Sequence, residues 1–128
     1  MVTKITNGIK ISVQTAFKGT SYSNEALYYA FSYAITIENR STDTVQLTDR
    51  YWKIFDSLNQ IEIVAGEGVV GQTPTIPPKG SYTYTSGCFL TSNMGAMKGF
   101  YSMTNQETLA SFKVMIPTFQ LTNPLLLN

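Results

Sequence analysis

Leu27 to Asn39 reads "LYYAFSYAITIEN", and its alternation decides the fold class. Tyr29, Phe31, Tyr33, Ile35 and Ile37 fall on one side of an extended chain, opposite Ala30, Ser32, Thr36 and Glu38. A period of two sustained over the whole stretch is that of a long β-strand with one buried face.

The same period continues on both sides of it. In "GIKISVQTAF", Ile9, Ile11, Val13 and Phe17 oppose Lys10, Ser12 and Gln14. "TVQLTDRYWKIFDS" alternates Val45 and Leu47, then Trp52 and Ile54, and the change of parity predicts a bulge or bend near Asp49-Arg50. A turn at Ser57–Asn59 leads into "QIEIVA" and predicts a hairpin. Beyond a Gly/Pro-rich middle come "SYTYTS", "KGFYSMTN" and "TLASFKVMIP"; in the last, Phe112, Val114 and Ile116 oppose Lys113 and Met115. No segment carries the i, i+3, i+4 apolar stripe of a helix. Seven short strands separated by turn residues predict an all-β sandwich. The strands make one domain over residues 1–121. Residues 122–128, "TNPLLLN", are a C-terminal tail or an extra edge segment, whose leucines favour packing on something.

Composition narrows the function classes. Charged residues are 13% of the chain, about half the usual share for soluble domains. Nine basic and eight acidic residues give a net charge of +1, and neither sign clusters along the sequence. Neither a nucleic acid nor a membrane surface is an expected partner. Cys88 is the lone cysteine, which suits a reducing compartment. "MVTKITNGIKISV" has no apolar core long enough for a signal peptide, so a cytoplasmic location is expected. On that ground the Asn39-Arg40-Ser41 sequon is read as chance.

The chain has no histidine. That removes the usual general base near neutral pH and the commonest transition-metal ligand. No Ser/His/Asp or Cys/His constellation can exist, and a zinc site lacks a ligand set. No enzyme, metal or cofactor is expected.

"GEGVVGQT", Gly66 to Thr73, fits the dinucleotide fingerprint and misses the phosphate-loop pattern by Gln72 in place of lysine. Both mechanisms need a helix after the glycines. Here Pro74, Pro77 and Pro78 follow, and they cannot continue as one. The acidic ribose ligand expected about 20 residues on is also missing. Two readings of Gly66, Gly68 and Gly71 remain. They supply positive φ angles for a bulged crossing between sheets, or their amides form an anion-binding nest with Lys79 adding charge.

These residues sit in a recognisable context. Gly66-x-Gly68-Val69-Val70-Gly71, Ser86-Gly87-x-x-Leu90 and Gly95-x-Met97-x-Gly99-x-Tyr101-x-Met103 resemble the bacterial ApaG family. The resemblance extends to "YAFSYAITIENRS", "VQLTDRYW" and "FKVMIPTF", almost the whole chain. It implies a fibronectin type III or immunoglobulin-like β-sandwich of about seven or eight antiparallel strands. Similar domains occur in some F-box proteins and in a polymerase-δ-interacting protein, where they serve protein binding. In bacteria the family is linked genetically to cobalt resistance and magnesium efflux, and its gene often lies near a diadenosine-tetraphosphate hydrolase. The sequence departs from the family pattern at Tyr51 and Phe100, where histidine is frequent. Lys79-Gly80 replaces a common Gly-Glu, and Ser92-Asn93 a common Thr-Pro.

Trp52 reads as a core plug, and Arg50 as either a binding hot spot or the partner of a nearby carbonyl or Asp49. Tyr29, Tyr33 and Tyr101 stay open between core and surface. Cys88 reads as a small hydrophobe, and Met94, Met97 and Met103 as gap-fillers. Glu62 and Glu67 flank the loop, but two carboxylates are a weak basis for a cation site. The expected function is a non-enzymatic protein-binding module. Its candidate loop is Gly66, Glu67, Gly68, Gly71 and Lys79, with Arg50 on an adjoining surface. Edge-strand pairing into a homodimer is a further arrangement such sheets permit. The alternative is a module for pyrophosphate-containing nucleotides.

Overall fold

The computed structural model describes residues 1–127, with side chains described through Leu125. Nine strands follow one another: β1 (Val2–Thr6), β2 (Ile9–Ser23), β3 (Ala26–Asn39), β4 (Val45–Asp56), β5 (Glu62–Glu67), β6 (Thr75–Ile76), β7 (Ser81–Leu90), β8 (Met94–Asn105) and β9 (Ser111–Thr122). A short 3-10 turn, Pro124–Leu127, ends the chain. All neighbouring strands pair antiparallel, in two sheets of order β1-β2-β3-β7 and β5-β4-β8-β9, with β6 on the β4 edge. With β1 and β6 set aside, three strands face four, the fibronectin type III arrangement expected.

The alternation in the sequence maps onto burial. Phe31, Tyr33, Ile35 and Ile37 on β3 are buried, as are Ile9, Ile11 and Val13 on β2, and Val114 and Ile116 on β9. Together with Trp52 of β4, Met97 and Tyr101 of β8 and Phe119 and Leu121 of β9 they form one core. Trp52 packs against the rings of Tyr33 and Phe119 at 5.5 and 5.8 Å. Tyr101 and Tyr33 are therefore core residues and Tyr29 is half-buried; Met97 and Met103 fill the core, while Met94 is exposed.

The expected bulge in β4 lies at Thr48, where the register on β8 shifts between Leu47 and Asp49. It keeps Arg50, Trp52 and Ile54 pointing between the sheets although Leu47 also does.

The two long sides of the sandwich are built differently. On one, β1 and β2 lie against β9, and the Met115 amide donates to Thr6 Oγ1 at 3.2 Å. On the other, β5 and β7 are the end strands of their sheets.

Two polar knots fix the ends. Asn39, 1% exposed, donates through Nδ2 to the carbonyls of Asp43 and Ile76 at 2.8 and 2.9 Å. Its Oδ1 accepts from the Ser41 amide and hydroxyl. Both amide hydrogens are engaged, so the folded sequon offers no free nitrogen. At the opposite end, Asp56 accepts from the Thr91 amide and hydroxyl at 2.7 Å and from Ser92 Oγ at 2.6 Å. That ties the β7–β8 turn to the end of β4.

β9 runs one residue past the expected domain limit, and Asn123 is buried. Its amide donates to the Asn93 carbonyl at 3.0 Å. Leu125 is exposed; the side chains of Leu126 and Leu127, and Asn128, lie outside the described residues, and with them the packing expected of the leucine run.

Candidate functional site

The open side of the sandwich holds a cleft of about 520 Å³ between β5 and β7. Its walls alternate as the strands do: Arg50, Trp52 and Ile54 come from β4, Val64 from β5, and Tyr84, Ser86 and Cys88 from β7. Val69 and Val70 close one end. Ile63, Val70 and Phe89 stand at this side with exposures of 54, 63 and 66%.

The glycine stretch forms the end wall. Gly66 pairs with Arg50 in the β4–β5 ladder, and the Gly68 amide donates to the Thr48 carbonyl at 2.8 Å. Val69 and Gln72 then exchange two backbone hydrogen bonds, at 2.8 and 3.0 Å, around the two-residue turn Val70-Gly71. Val70 (φ 48°) and Gly71 (φ 76°) are both left-handed, the signature of a type I′ turn. The hairpin inserts Val69, 1% exposed, into the core and leaves Val70 at its tip.

The positive-φ reading holds for Gly68 (φ 68°) and Gly71 but not for Gly66, and the stretch is no crossing between sheets, because β5 before it and β6 after it both pair with β4. A side chain at Gly66 would instead meet the Arg50 guanidinium, whose atoms lie 3.2–3.4 Å from the Cβ position. Arg50 lies over that bare backbone, and its Nη1 donates to the carbonyls of Glu67 and Gly68 at 2.9 and 3.0 Å. Of the two partners expected for Arg50, the carbonyls hold it. Asp49 is exposed, because neighbours on a strand point to opposite faces.

Gly66, Glu67 and Gly68 are thus gathered about Arg50, with Gly71 in the adjoining turn, and of these five Arg50 alone lines the cleft. Lys79 is not among them. It follows β6, donates its amide to the Asn39 carbonyl at 2.8 Å, and does not line the cleft.

Burial controls the titratable groups. It pushes the Tyr33, Tyr84 and Tyr101 hydroxyls up, and those of Tyr84 and Tyr101 are hydrogen-bonded to each other. Burial, then the charges of Glu62 and Asp56, push the Cys88 thiol up to about 11. At neutral pH it is a thiol, not a nucleophilic thiolate. Among the described residues no three His, Cys, Asp or Glu side chains group as a metal site.

Sequence reading missed a second feature. On the outer face of the β5-β4-β8-β9 sheet, Lys53 and Lys98 share a shallow groove with Tyr51 and Phe100, and Lys4 of β1 lines it too. Tyr51 and Phe100 stack at 5.0 Å, and Lys113 Nζ lies 4.5 Å over the Phe100 ring. Lysines far apart in sequence become neighbours by strand pairing, which no composition count reveals. No described helix is long and apolar enough to cross a membrane.

The comparisons with known proteins agree with this architecture. Residues 19–105 match the ApaG domain model. The chain is 40% identical over 124 residues to Protein ApaG of Brucella suis biovar 1, covering 97% of this chain and 95% of that one. A structural-genomics X-ray structure superposes with a TM-score of 0.87 at 41% identity, over 92% of this chain and 89% of that one. The putative ApaA protein of Bordetella pertussis superposes with a TM-score of 0.83 at 33% identity, over 91% and 94%. A family model over residues 19–105 and 40% identity over 97% of the chain agree: the chain belongs to the ApaG family.

Proposed function

We propose that this protein is a non-enzymatic interaction module that binds a protein partner at the open side of its sandwich. The observation that carries the reading is the pair of end strands, β5 and β7, flanking a cleft rimmed by exposed Val70 and Phe89. Strand edges offer backbone donors and acceptors, and the cleft offers pockets for alternate side chains, which is how extended segments are recognised. In this reading the family's genetic links to cobalt and magnesium act indirectly, through the partner.

A nucleotide-binding loop needs free amides. Those of Gly68, Val69 and Gln72 are already donated to backbone carbonyls, which leaves Val70 and Gly71 in the hairpin. The glycines serve the hairpin first.

A photo-crosslinking side chain placed at Val70 or Phe89, and at Thr118 as a control, tests the reading in cells. Discrete adducts of one partner from the first two positions, and none from Thr118, are expected. No adduct at the cleft would sink it, as would saturable amide shifts at Val70 and Gly71 on NMR titration with pyrophosphate.

A further inference from the structure

Arginine carries five N–H donors in a planar fork. Arg50 spends its Nη1 on the Glu67 and Gly68 carbonyls. Among the described residues its Nε and Nη2 meet no protein acceptor, and no carboxylate lies within ion-pair distance of it. These atoms are not buried either, since no buried side-chain nitrogen is left unpartnered. One edge of the guanidinium is therefore clamped, the other keeps contact with solvent, and the side chain lines the cleft with Trp52, Ile54 and Val64. The Nε–Nη2 edge matches a carboxylate with two parallel hydrogen bonds.

Resting on the interaction-module reading, we propose that the cleft takes an extended segment of a partner protein as an added strand on β7. An acidic side chain of that segment pairs with the free edge of Arg50. β7 is the edge that fits. A strand added there faces β4 and β5 across the inter-sheet gap of about 10 Å. A strand added to β5 would lie in Arg50's own sheet.

The register follows from the pairings already described. Tyr101 pairs with Arg50 on the neighbouring strand, and the Tyr84 hydroxyl bonds the Tyr101 hydroxyl, so Tyr84 stands at the level of Arg50. Met97 pairs with Ile54, and Cys88 Sγ lies 4.0 Å from Met97 Sδ, so Cys88 stands at the level of Ile54. A strand antiparallel to β7 passes Cys88 first and Tyr84 last. Its inward residues therefore read apolar-x-apolar-x-acidic. Glu62, paired with Ile54 on the β5 side, disfavours an acid at the opposite end, so the order is directional.

The test uses the wild-type protein and a blocked peptide, Thr-Leu-Thr-Val-Thr-Glu-Thr, at low salt. Trp52, the single tryptophan and a cleft wall, reports binding by fluorescence. The glutamate peptide is expected to bind about tenfold tighter than the same peptide with glutamine, the scale of a hydrogen bond to a charged group. Exchanging its Leu and Glu should remove the advantage, and so should Arg50→Gln. The glutamate-to-glutamine comparison on the wild type stands even if that variant is unstable. Equal affinity for both peptides overturns the carboxylate assignment and leaves strand docking in place. Silence from all three peptides overturns the docking mode as well, while crosslinks from Val70 decide the wider reading separately.

Discussion

The two long sides of this sandwich solve the same problem in different ways. Where β1 and β2 meet β9, side chains such as Ile11 and Leu121 are fully buried and a cross-sheet hydrogen bond reaches Thr6. Where β5 faces β7, a cleft remains, Arg50 stands in place of an apolar residue, and Ile63, Val70 and Phe89 are left in water. The first side is closed by packing, and the second is left open. Edge strands invite pairing, so an open apolar edge is a liability unless something uses it.

The largest expected effect tests that division directly. Ile11→Ala should cost about 3 kcal/mol by urea denaturation, the usual scale for a core truncation. Phe89→Ala on the open side should stay within about 0.5 kcal/mol of wild type. A large loss at Phe89 would erase the contrast.

Next come the glycines of the hairpin. Gly68→Ala should destabilise by about 2–3 kcal/mol, because its φ of 68° is strained for alanine and the added Cβ would collide with the Gln72 carbonyl. Gly71→Ala has a similar φ, 76°, with nothing within 4 Å, so strain alone should cost about 1 kcal/mol. Equal losses would show that the collision relaxes away.

Asp56 supplies a pH signature. Burial raises its pKa, but hydrogen bonds from Ser92, Thr91 and Leu58 outweigh burial and hold the folded carboxyl below its ordinary value. A pKa lowered by folding gives stability that is full above the unfolded value of about 3.9 and lost as pH falls through the folded one. Asp56→Asn should therefore lower stability at pH 7 by about 1–2 kcal/mol, and the gap should narrow as pH falls below the unfolded value. A gap that stays constant with pH would remove the charge from the account.

The smallest effect has the opposite sign. Val70 is β-branched at a φ of 48°, where type I′ turns favour Asn-Gly. Val70→Asn should stabilise by about 0.5–1 kcal/mol, read as a rise in the denaturation midpoint. If Val70 serves the partner, the same variant should weaken cleft binding, a stability cost retained for function.

Legibility differed sharply between fold and site. Strong alternation announced β2, β3, β4 and β9, and the parity change after Leu47 announced the β4 bulge. β1 was missed because it buries no side chain: Val2 and Ile5 are 38 and 55% exposed, so no period appears. Asn7-Gly8 between Thr6 and Ile9, with both residues at positive φ, was the signal that would have found it. β6, of two residues, was too short for any period. At the candidate site, the fingerprint match drew attention to the glycine amides, whereas the structure employs Gly68 and Gly71 in the hairpin and lays Arg50 over Gly66.

By itself the sequence determined the class of fold, the faces of its strands and the absence of histidine chemistry. Alternation and composition are local properties, and a side chain's choice between core and water follows from them. Only the tertiary structure decided that Arg50 lies over Gly66, that Lys79 stays away from the cleft, and that Tyr84 and Tyr101 share a hydrogen bond. Those depend on which strands end each sheet and in what register they pair, over separations of 16 to 29 residues in the Arg50–Gly66 and Arg50–Lys79 cases. Long-range pairing is chosen by the packing of the whole core, and no local stretch encodes it alone.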